Sequence, residues 1–560
     1  MSRLKTHRGV QHLVALVLYA AMSVISLGLP IHFAFLHEIS AINSTDPLVF
    51  LWWFARWPHT LMGGTRLFHT DLIWAPSGQN IAWKTSIPAL AIALAPITQK
   101  WGPILSFNIA ALTAPGLSAF GLYLVCRETG LSWRPSILGG WLFGFSTYVF
   151  AQLLGEINLA VVWAVPFLLW LFIRRMHRNI NRVAYIGATA ALAAFQFCVS
   201  SEVAASSVIF AAIAITLALA SRPMAPLTQN LKSTALELAA AGALSAAMLA
   251  PYLYAMLSPA AAHPEAGIGI SPSDVIADPL GFLLPTPVLW LGTPIFGRIG
   301  NTLAGNISDK DAYLGIPLIA ILIMYVWEFG RTAKGRYISV VFCTFAILSL
   351  GSRLRILGQI TPVFEPWLMI THLPYADKML PGRFALYVDM AAAFITAAWY
   401  EHSTLSLPMK RAAAFLAVLC LLPNVDPMPG RGPVPKPAFF MSAEYKYYIQ
   451  PNERVIILPY SDGMWFQATA HFYFRMVGGY IGGAEPRAFS GIAVDNALNG
   501  GRLPKKYKIQ FRGFLKHYKV GAIIVYGRET KNQRALLTSL RVPPRVTGGV
   551  TIYDIEKANP

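Results

Sequence analysis

Twelve apolar segments, separated by short polar connections, occupy most of the first 424 residues and constrain the fold more than any other feature. They are residues 12–35, 85–98, 103–125, 136–154, 157–173, 183–200, 203–220, 234–257, 312–327, 337–350, 384–400 and 411–424. Only 13% of the 560 residues are charged, whereas a soluble chain needs about a quarter of its residues charged to cover its surface. Several segments approach the ~20 residues that a spanning helix requires. The sequence therefore predicts an all-α polytopic membrane domain.

Positive charges in the short connections predict how these segments are oriented. Lys and Arg cluster in the connections 174–182, 222–232, 331–336 and 410–411, which are expected to be cytoplasmic because basic residues favour that side. The first segment follows a basic flank and is too long for a cleaved signal peptide, so it is expected to stay as an anchor with the amino terminus in the cytoplasm.

The orientation conflicts with the positive charges if segments 85–98 and 103–125 both cross the membrane, because the basic connection 174–182 would then lie outside. Pro88 and Pro96 bracket the short segment 85–98, which favours a re-entrant structure or one that lies against the first outer loop; the alternative is that a later segment is misassigned. With 85–98 excluded, about eleven spans remain, and the carboxy-terminal tail lies on the same outer side as the first loop.

Composition divides the chain into three parts. Residues 1–424 are predicted to form the transmembrane domain, with 36–84 as its first outer loop, and a Pro-rich linker follows at 425–440. Residues 441–560 lack a spanning segment, and two β-branched runs, 453–460 and 519–527, with a helical pattern at 511–518 between them, predict a soluble extracytoplasmic α/β domain.

The last quarter of the chain is strongly basic. Roughly +10 of the net charge of +19 lies beyond residue 424. Such a surface beside a membrane attracts anionic headgroups or phosphates, although simple solubility explains it equally well. No motif typical of nucleic-acid binding is present, so nucleic acid is not an expected partner.

Acidic residues are scarce, and several follow the outer ends of apolar segments. Asp46 and Asp71 lie in the first outer loop, which ends in a turn with Pro76, Gly78 and Asn80. Asp46 precedes Pro47 and an aromatic helix typical of a membrane interface; the competing interpretation is a helix cap, with Ser44, Thr45 or Asp46 in that position. Asp71 can likewise serve as a cap or turn residue.

Two further acids sit between paired apolar segments with almost no loop to solvate them. Glu156 and Glu202 are expected to face a cavity for that reason. The connection 351–383 supplies Lys378 and Arg383, which are candidates to neutralise a phosphate; each is alternatively an anchor at the membrane surface.

These features together resemble a known superfamily. An acid just after the first span, an interfacial helix, a second acid with a Pro-Gly-Asn turn, and the run Leu380-Pro381-Gly382-Arg383-Phe384 are similar to the GT-C membrane glycosyltransferases that use polyprenyl-phosphate-linked sugars, and to an uncharacterised bacterial branch of them. The resemblance covers residues 12–424.

The resemblance implies an activity and a site. Asp46 is expected to be the general base of an inverting hexosyl or pentosyl transfer to an envelope glycan or lipid, at the outer face of a bacterial inner membrane. Six residues are expected to contact substrate: Asp71, Asn80, Glu156, Glu202, Lys378 and Arg383. No cofactor is expected, and a divalent metal is not favoured because the histidines lack metal-ligand spacing.

Two other functions remain open from sequence alone. A transporter or flippase of lipid-linked saccharides would place ionisable residues in mid-span, whereas the acids here gather at the outer ends. A non-catalytic subunit of polysaccharide assembly would tolerate replacement of Asp46.

Overall fold

The computed structural model shows a helical body followed by a small mixed sheet. It describes residues 2–39, 46–64, 66–220, 225–258, 276–292, 296, 307–372, 379–425, 434–482 and 485–555. Helices in the first 258 residues are α1 (Ser2–Gly28), α2 (Asp46–Gly63), α3 (Pro88–Ala93), α4 (Ala95–Trp101), α5 (Pro103–Glu128), α6 (Trp133–Gly144), α7 (Thr147–Leu153), α8 (Ile157–Ala160), α9 (Ala164–Met176), α10 (Arg182–Val199), α11 (Ser201–Ala220), α12 (Ala225–Met248) and α13 (Ala250–Leu257). Later helices are α14 (Ile316–Phe329), α15 (Ala333–Ser349), α16 (Trp367–Ile370), α17 (Ala385–His402), α18 (Leu407–Cys420), α19 (Ala438–Met441), α20 (Tyr460–Thr469), α21 (Ala493–Leu498), α22 (Tyr507–Tyr518) and α23 (Lys531–Thr538).

The strands form two hairpins and one larger sheet. They are β1 (His69–Thr70), β2 (Gln79–Asn80), β3 (Arg353–Ile356), β4 (Gln359–Phe364), β5 (Arg454–Leu458), β6 (Arg475–Met476), β7 (Ala522–Val525), β8 (Arg545–Thr547) and β9 (Val550–Asp554). Antiparallel pairs β1–β2 and β3–β4 lie in the predicted outer connections. Short 3-10 turns complete the described structure at Leu29–Ile31, Pro279–Phe282, Trp290–Gly292, Ile307–Asp309, Pro381–Phe384 and Glu444–Tyr447.

The chain is a multi-pass membrane protein, and its described residues contain fewer long apolar helices than the twelve apolar segments of the sequence. In the described ranges, five stretches are long and apolar enough to cross a membrane: Arg8–Ile31, Pro103–Glu128, Ile157–Met176, Arg182–Val199 and Ser201–Ala220. A sixth exists if Ser233–Met248 and Ala250–Leu257, which meet at 73°, count as one bent span.

Local sequence explains why some apolar segments are not long helices. Segment 136–154 is broken between α6 and α7, where the Ser146 side chain accepts a hydrogen bond from the Val149 N–H and begins a new helix. Segment 85–98 is broken into α3 and α4, each with a proline in its first turn. Both short helices pack against α2 rather than crossing as one span.

Helix α5 is the centre of the helical body. It packs against α1, α6 and α9, while α17 packs against α6. Its glycines and alanines allow close approach: a Cβ on Gly121 would lie 2.8 Å from the Pro166 ring of α9. Burial of apolar side chains on all sides of α5 holds the outer ends of the neighbouring helices in fixed positions.

Helix α2 is buried almost completely, although its sequence predicts a helix at the membrane interface. Trp52, Trp53 and Trp57 are each at most 2% exposed. The explanation is that α2 packs on one side against α3, α4 and α5 and on the other against α20 of the carboxy-terminal part. Trp52 Nε1 donates a hydrogen bond to Gln467 Oε1 at 2.8 Å across this second contact.

The carboxy-terminal part contains a five-stranded sheet in the order β6-β5-β7-β9-β8. Strand β5 is parallel to β6 and β7, and β9 is antiparallel to both β7 and β8. Strand β7 and all but the first residue of β5 are buried, as expected for the two β-branched runs. Helix α22 coincides with the predicted helical pattern.

The first outer loop completes this sheet along its β6 edge. Met476 donates a backbone hydrogen bond to Leu72 at 2.8 Å, and Ala75 donates one back to Met476 at 2.9 Å. Trp74 adds a third, to Gly478, at 3.0 Å. We refer to these contacts between residues 72–75 and 476–478 as the seam. An edge strand needs its backbone groups satisfied, so the seam fixes the carboxy-terminal part directly above the loop that carries Asp46.

Candidate active site

Asp46 occupies the first turn of α2, where the helix dipole favours a carboxylate. Ser44 and Thr45, the other two candidates for the helix cap, lie outside the described residues. The Tyr480 hydroxyl donates a hydrogen bond to Asp46 Oδ1 at 3.0 Å. Tyr480 follows the seam directly, so the carboxy-terminal part of the chain contributes to the surroundings of Asp46.

Glu156 lies in the connection between α7 and α8 and interacts electrostatically with Asp46. Burial raises the pKa of Glu156 to about 7, an effect that the positive charge of Arg383 opposes. The negative charges of Asp46, Asp309 and Glu202 add to the rise. An acid with this pKa is partly protonated near neutrality and can then donate a hydrogen bond.

Arg383 and Glu202 form the ion pair at the centre of this group. Arg383 Nη1 lies 2.6 Å from Glu202 Oε2, and the two side chains are only 15% and 26% exposed. The paired residues come from the turn Pro381–Phe384 and from the first turn of α11. Burial lowers the pKa of Arg383, but attraction by Glu202, Glu156 and Asp309 raises it above its ordinary value overall.

The ion pair leaves two polar atoms with unused hydrogen-bonding capacity. Glu202 Oε1 and Arg383 Nε are both buried and have no hydrogen-bond partner among the described residues. Buried polar atoms of this kind are rare in folded proteins and call for an explanation. A bound ligand with both hydrogen-bond donors and acceptors would satisfy these two atoms.

The segment that carries Asp309 is held in place by α7. Gln152 Nε2 donates hydrogen bonds to the Ser308 carbonyl at 3.1 Å and to Asp311 Oδ2 at 2.8 Å. Thr147 Oγ1 donates one to the Tyr313 carbonyl at 2.9 Å. These contacts bring a residue from a Pro- and Gly-rich connection to the same group of charges.

Together these residues form what we call the acidic cluster: Asp46, Glu156, Glu202, Asp309 and Arg383. Glu156 interacts electrostatically with each of the other four, and all five residues lie at ends of helices or in connections. Of the residues chosen from the sequence, the structure brings four together here, Asp46, Glu156, Glu202 and Arg383. A proton acceptor next to a cation is the arrangement that displacement of a phosphate requires.

The other three residues chosen from the sequence have different surroundings. Asp71 forms an ion pair with Arg475 of β6, close to the seam. Asn80 Oδ1 accepts a hydrogen bond from the Ala82 N–H at 2.8 Å, and its amide donates to the Ala255 carbonyl at 3.3 Å. Lys378 lies outside the described residues. Substrate contact by these three stays a prediction.

Three residues with roles around the cluster were missed by the sequence analysis. Asp309 and Tyr480 reach it from connections whose sequences indicate only loops and turns. Arg56 is 1% exposed in α2 and donates hydrogen bonds to the carbonyls of Arg66, Leu67 and His69 at 2.7–3.1 Å, which orders the loop after the helix. Its only sequence signal was one charge in an otherwise apolar run.

Within the ranges that the structure describes, no group of three or more His, Cys, Asp and Glu side chains is arranged to hold a metal ion. Three carboxyl groups of the acidic cluster, those of Glu202, Glu156 and Asp309, interact with a cation of the chain itself, Arg383.

Comparison of the fold with solved structures gives a consistent result, although no protein-family model and no curated protein matches the sequence. The arabinofuranosyltransferase AftD from Mycobacteria aligns over 96% of this chain and 41% of its own, with 12% identity and a TM-score of 0.57. The Archaeoglobus fulgidus oligosaccharyltransferase with Zn and sulfate aligns over 91% of this chain and 68% of its own, with 12% identity and a TM-score of 0.51. Its apo form gives 13% identity, 92% and 69% coverage, and a TM-score of 0.50. The chain thus spans less than half the length of the mycobacterial enzyme.

Proposed function

We propose that this chain, whose fold is that of the GT-C membrane glycosyltransferases, is itself a glycosyltransferase of this type. The proposed donor is a polyprenyl-phosphate-linked sugar, and the proposed acceptor is a glycan or lipid of the bacterial envelope. The observation that carries the proposal is the acidic cluster, in which Glu156 interacts electrostatically both with Asp46, the acid after the first span, and with Arg383.

Asp46 and Arg383 have the central parts in the proposed reaction. Asp46 takes the proton of the acceptor hydroxyl as that oxygen attacks the anomeric carbon. The bond from this carbon to the phosphate oxygen breaks, and its electron pair leaves with the polyprenyl phosphate. A single displacement of this kind inverts the anomeric configuration. Arg383 supports departure because a buried guanidinium stabilises the charge that develops on the phosphate.

The unused hydrogen-bonding capacity of the ion pair is consistent with this role. Arg383 Nε is a donor suited to a phosphate oxygen, and Glu202 Oε1 is an acceptor suited to a sugar hydroxyl. Glu156, with its raised pKa, supplies a second donor when it is protonated. We include Asp71, Asn80 and Lys378 as further substrate contacts, because they belong to the outer connections that flank the cluster.

The position of the cluster explains why the donor would be a lipid. Glu156 immediately precedes the span Ile157–Met176, and Glu202 lies in the first turn of the span Ser201–Ala220. A polyprenyl chain can therefore stay in the bilayer while its phosphate reaches Arg383 at the helix ends. With the amino terminus in the cytoplasm, the cluster and the carboxy-terminal part both lie at the outer face of the inner membrane.

Substitution of Asp46 by Asn tests the proposal. The purified wild-type protein in proteoliposomes is expected to transfer sugar from a polyprenyl-phosphate donor, and Asp46→Asn is expected to lower kcat by about 100-fold or more. Glu128→Gln is the matched control, since Glu128 is an acid of the membrane part whose basic neighbours, His177 at 3.8 Å and Arg174 at 3.9 Å, do not belong to the acidic cluster. Equal activity of Asp46→Asn and wild type would exclude Asp46 as the base, and binding of donor without turnover by wild type would favour a transporter or an assembly subunit.

A further inference from the structure

A basic groove lies in the carboxy-terminal part of the chain, apart from the acidic cluster. It is bounded by α22, α23 and the residues that follow α23, and it has a volume of about 430 Å³. Cavities that bind small ligands commonly measure ~300–1,000 Å³. Five cationic side chains line it: Lys508, Arg512, Lys531, Arg534 and Arg541.

Few acidic side chains of the protein neutralise these cations. Arg534 forms an ion pair of 3.4 Å with Glu529, and Arg512 donates a hydrogen bond to the Ser539 carbonyl at 3.3 Å. Across the ranges that the structure describes, Lys508, Lys531 and Arg541 form no ion pair. The surrounding sequence, residues 502–545, has twelve Lys and Arg and a single acid, Glu529. Close positive charges repel one another, so the groove is set to receive an anion.

The two helices present their cations on a fixed frame. Phe511 and Phe514 anchor the buried face of α22, and Leu536 and Leu537 anchor that of α23. A capping box strengthens the start of α23: Thr530 Oγ1 accepts from the Gln533 N–H, and Gln533 Oε1 accepts from the Thr530 N–H. Because the backbone on both sides is held in this way, little order has to be gained when a ligand binds.

We propose that this groove binds a saccharide segment that carries phosphate groups. Guanidinium and ammonium groups are the preferred protein partners of phosphate. The lining also contains the hydroxyls of Thr538 and Ser539 and the ring of Tyr507, which suit sugar hydroxyls and the apolar face of a sugar ring. A concave surface of this size fits a chain of sugars, whereas a flat layer of lipid headgroups would meet a convex surface. The inference does not depend on the transfer reaction proposed for the acidic cluster.

Binding is tested with the full-length protein in phosphatidylcholine nanodiscs. The probe is a phosphomannan oligosaccharide, compared with a neutral mannan oligosaccharide of equal length. We expect measurable affinity for the first probe and none for the second. Salt should weaken the binding, since exposed charges are screened. Equal affinity for both probes, or no affinity for either, would overturn the proposal.

Two triple variants separate the groove from general basicity. Lys508→Ala/Lys531→Ala/Arg541→Ala removes three groove cations, and the control Lys446→Ala/Lys516→Ala/Arg545→Ala removes three exposed cations that do not line it. The groove variant is expected to bind phosphomannan at least about tenfold more weakly, and the control to change affinity by about twofold or less. Equal losses in the two variants would show diffuse attraction and contradict a specific groove.

Competition with lipid vesicles tests whether the groove binds lipid headgroups or a phosphorylated saccharide. Vesicles of phosphatidylcholine and phosphatidylglycerol in equal parts are added to the complex with phosphomannan. The proposal predicts that they do not displace the probe. Displacement by the vesicles, together with loss of vesicle binding in the groove variant, would identify a membrane surface as the occupant and overturn the saccharide proposal.

Discussion

Removal of the Arg383–Glu202 ion pair should separate its structural contribution from its part in the reaction. Two unit charges 2.6 Å apart attract each other by about 6 kcal/mol at an effective dielectric constant of ~20, before the cost of desolvation. Because both side chains are mostly buried, Arg383→Gln leaves the Glu202 carboxylate without its cation. Loss of one partner from a buried pair typically destabilises a protein by about 3–5 kcal/mol. We expect Arg383→Gln to lower the midpoint of thermal unfolding in detergent and to abolish transfer.

The double variant Arg383→Met/Glu202→Leu then distinguishes the two contributions. Replacement of both charges by apolar groups is often neutral for stability, so most of the lost thermal stability should return. Transfer should not return, since the phosphate still lacks its cation. The same assays on Arg175→Gln give a matched control: Arg175 pairs with Glu237 at 2.6 Å, with side chains 13% and 3% exposed, away from the acidic cluster. This control should lose stability while the folded fraction keeps its kcat.

Recovery of transfer in the double variant would refute the proposed role of Arg383. It would show that Arg383 serves only to compensate Glu202, and the cation for the phosphate would have to be sought elsewhere in the outer connections.

Three further predictions concern the surroundings of the cluster. The pKa of Glu156 lies above its ordinary 4.5, at about 7, so the folded state binds this proton more tightly than the unfolded chain and loses stability as pH rises from 4.5 to 7. Glu156→Gln lacks this proton, so its thermal midpoint minus that of wild type should increase over this pH range. A difference that stays constant with pH would contradict the raised pKa. Tyr480→Phe removes one hydrogen bond to a carboxylate and should lower kcat by about tenfold at unchanged KM, whereas an unchanged kcat would show that the contact is incidental. Gly478 has φ +109°, and a Cβ added there would lie 2.5 Å from the Tyr460 ring, whereas a Cβ added at Gly500, with φ +91°, would meet only open space. Gly500→Ala should therefore cost only backbone strain of about 1–2 kcal/mol, and Gly478→Ala should destabilise the protein by more. Equal thermal midpoints of the two variants would contradict the packing at the seam.

The sequence was most informative where physical constraints on a membrane chain are strictest. Charges are costly beside lipid. The few acids and the Pro-Gly-Arg run near the ends of apolar segments could therefore be recognised from the sequence as candidates for one site. This is why Asp46, Glu156, Glu202 and Arg383 were selected from positions as far apart as 46 and 383. The structure brings the four together, and their roles stay a prediction. The buried strands β5 and β7 could also be predicted from the sequence, because parallel strands covered on both faces consist of consecutive apolar residues.

The sequence was less informative where tertiary contacts decide. Tyr480 and Asp309 lie in Gly-rich connections whose local patterns specify turns but not which surface they meet. The seam was not foreseen because its backbone hydrogen bonds do not depend on side-chain type. The count of about eleven spans stays a prediction, because a hydrophobic segment does not reveal an internal break, such as the one at Ser146 between α6 and α7.

A structure with bound donor tests the central claim most directly. The measurement is a cryo-EM structure of the protein in nanodiscs with a non-transferable analogue, a polyprenyl phosphonate in which carbon replaces the oxygen between phosphorus and the sugar. The account predicts a phosphonate oxygen within about 3 Å of the Arg383 guanidinium, with the anomeric carbon facing Asp46. A phosphonate bound away from Arg383, or an anomeric carbon turned away from Asp46, would contradict it.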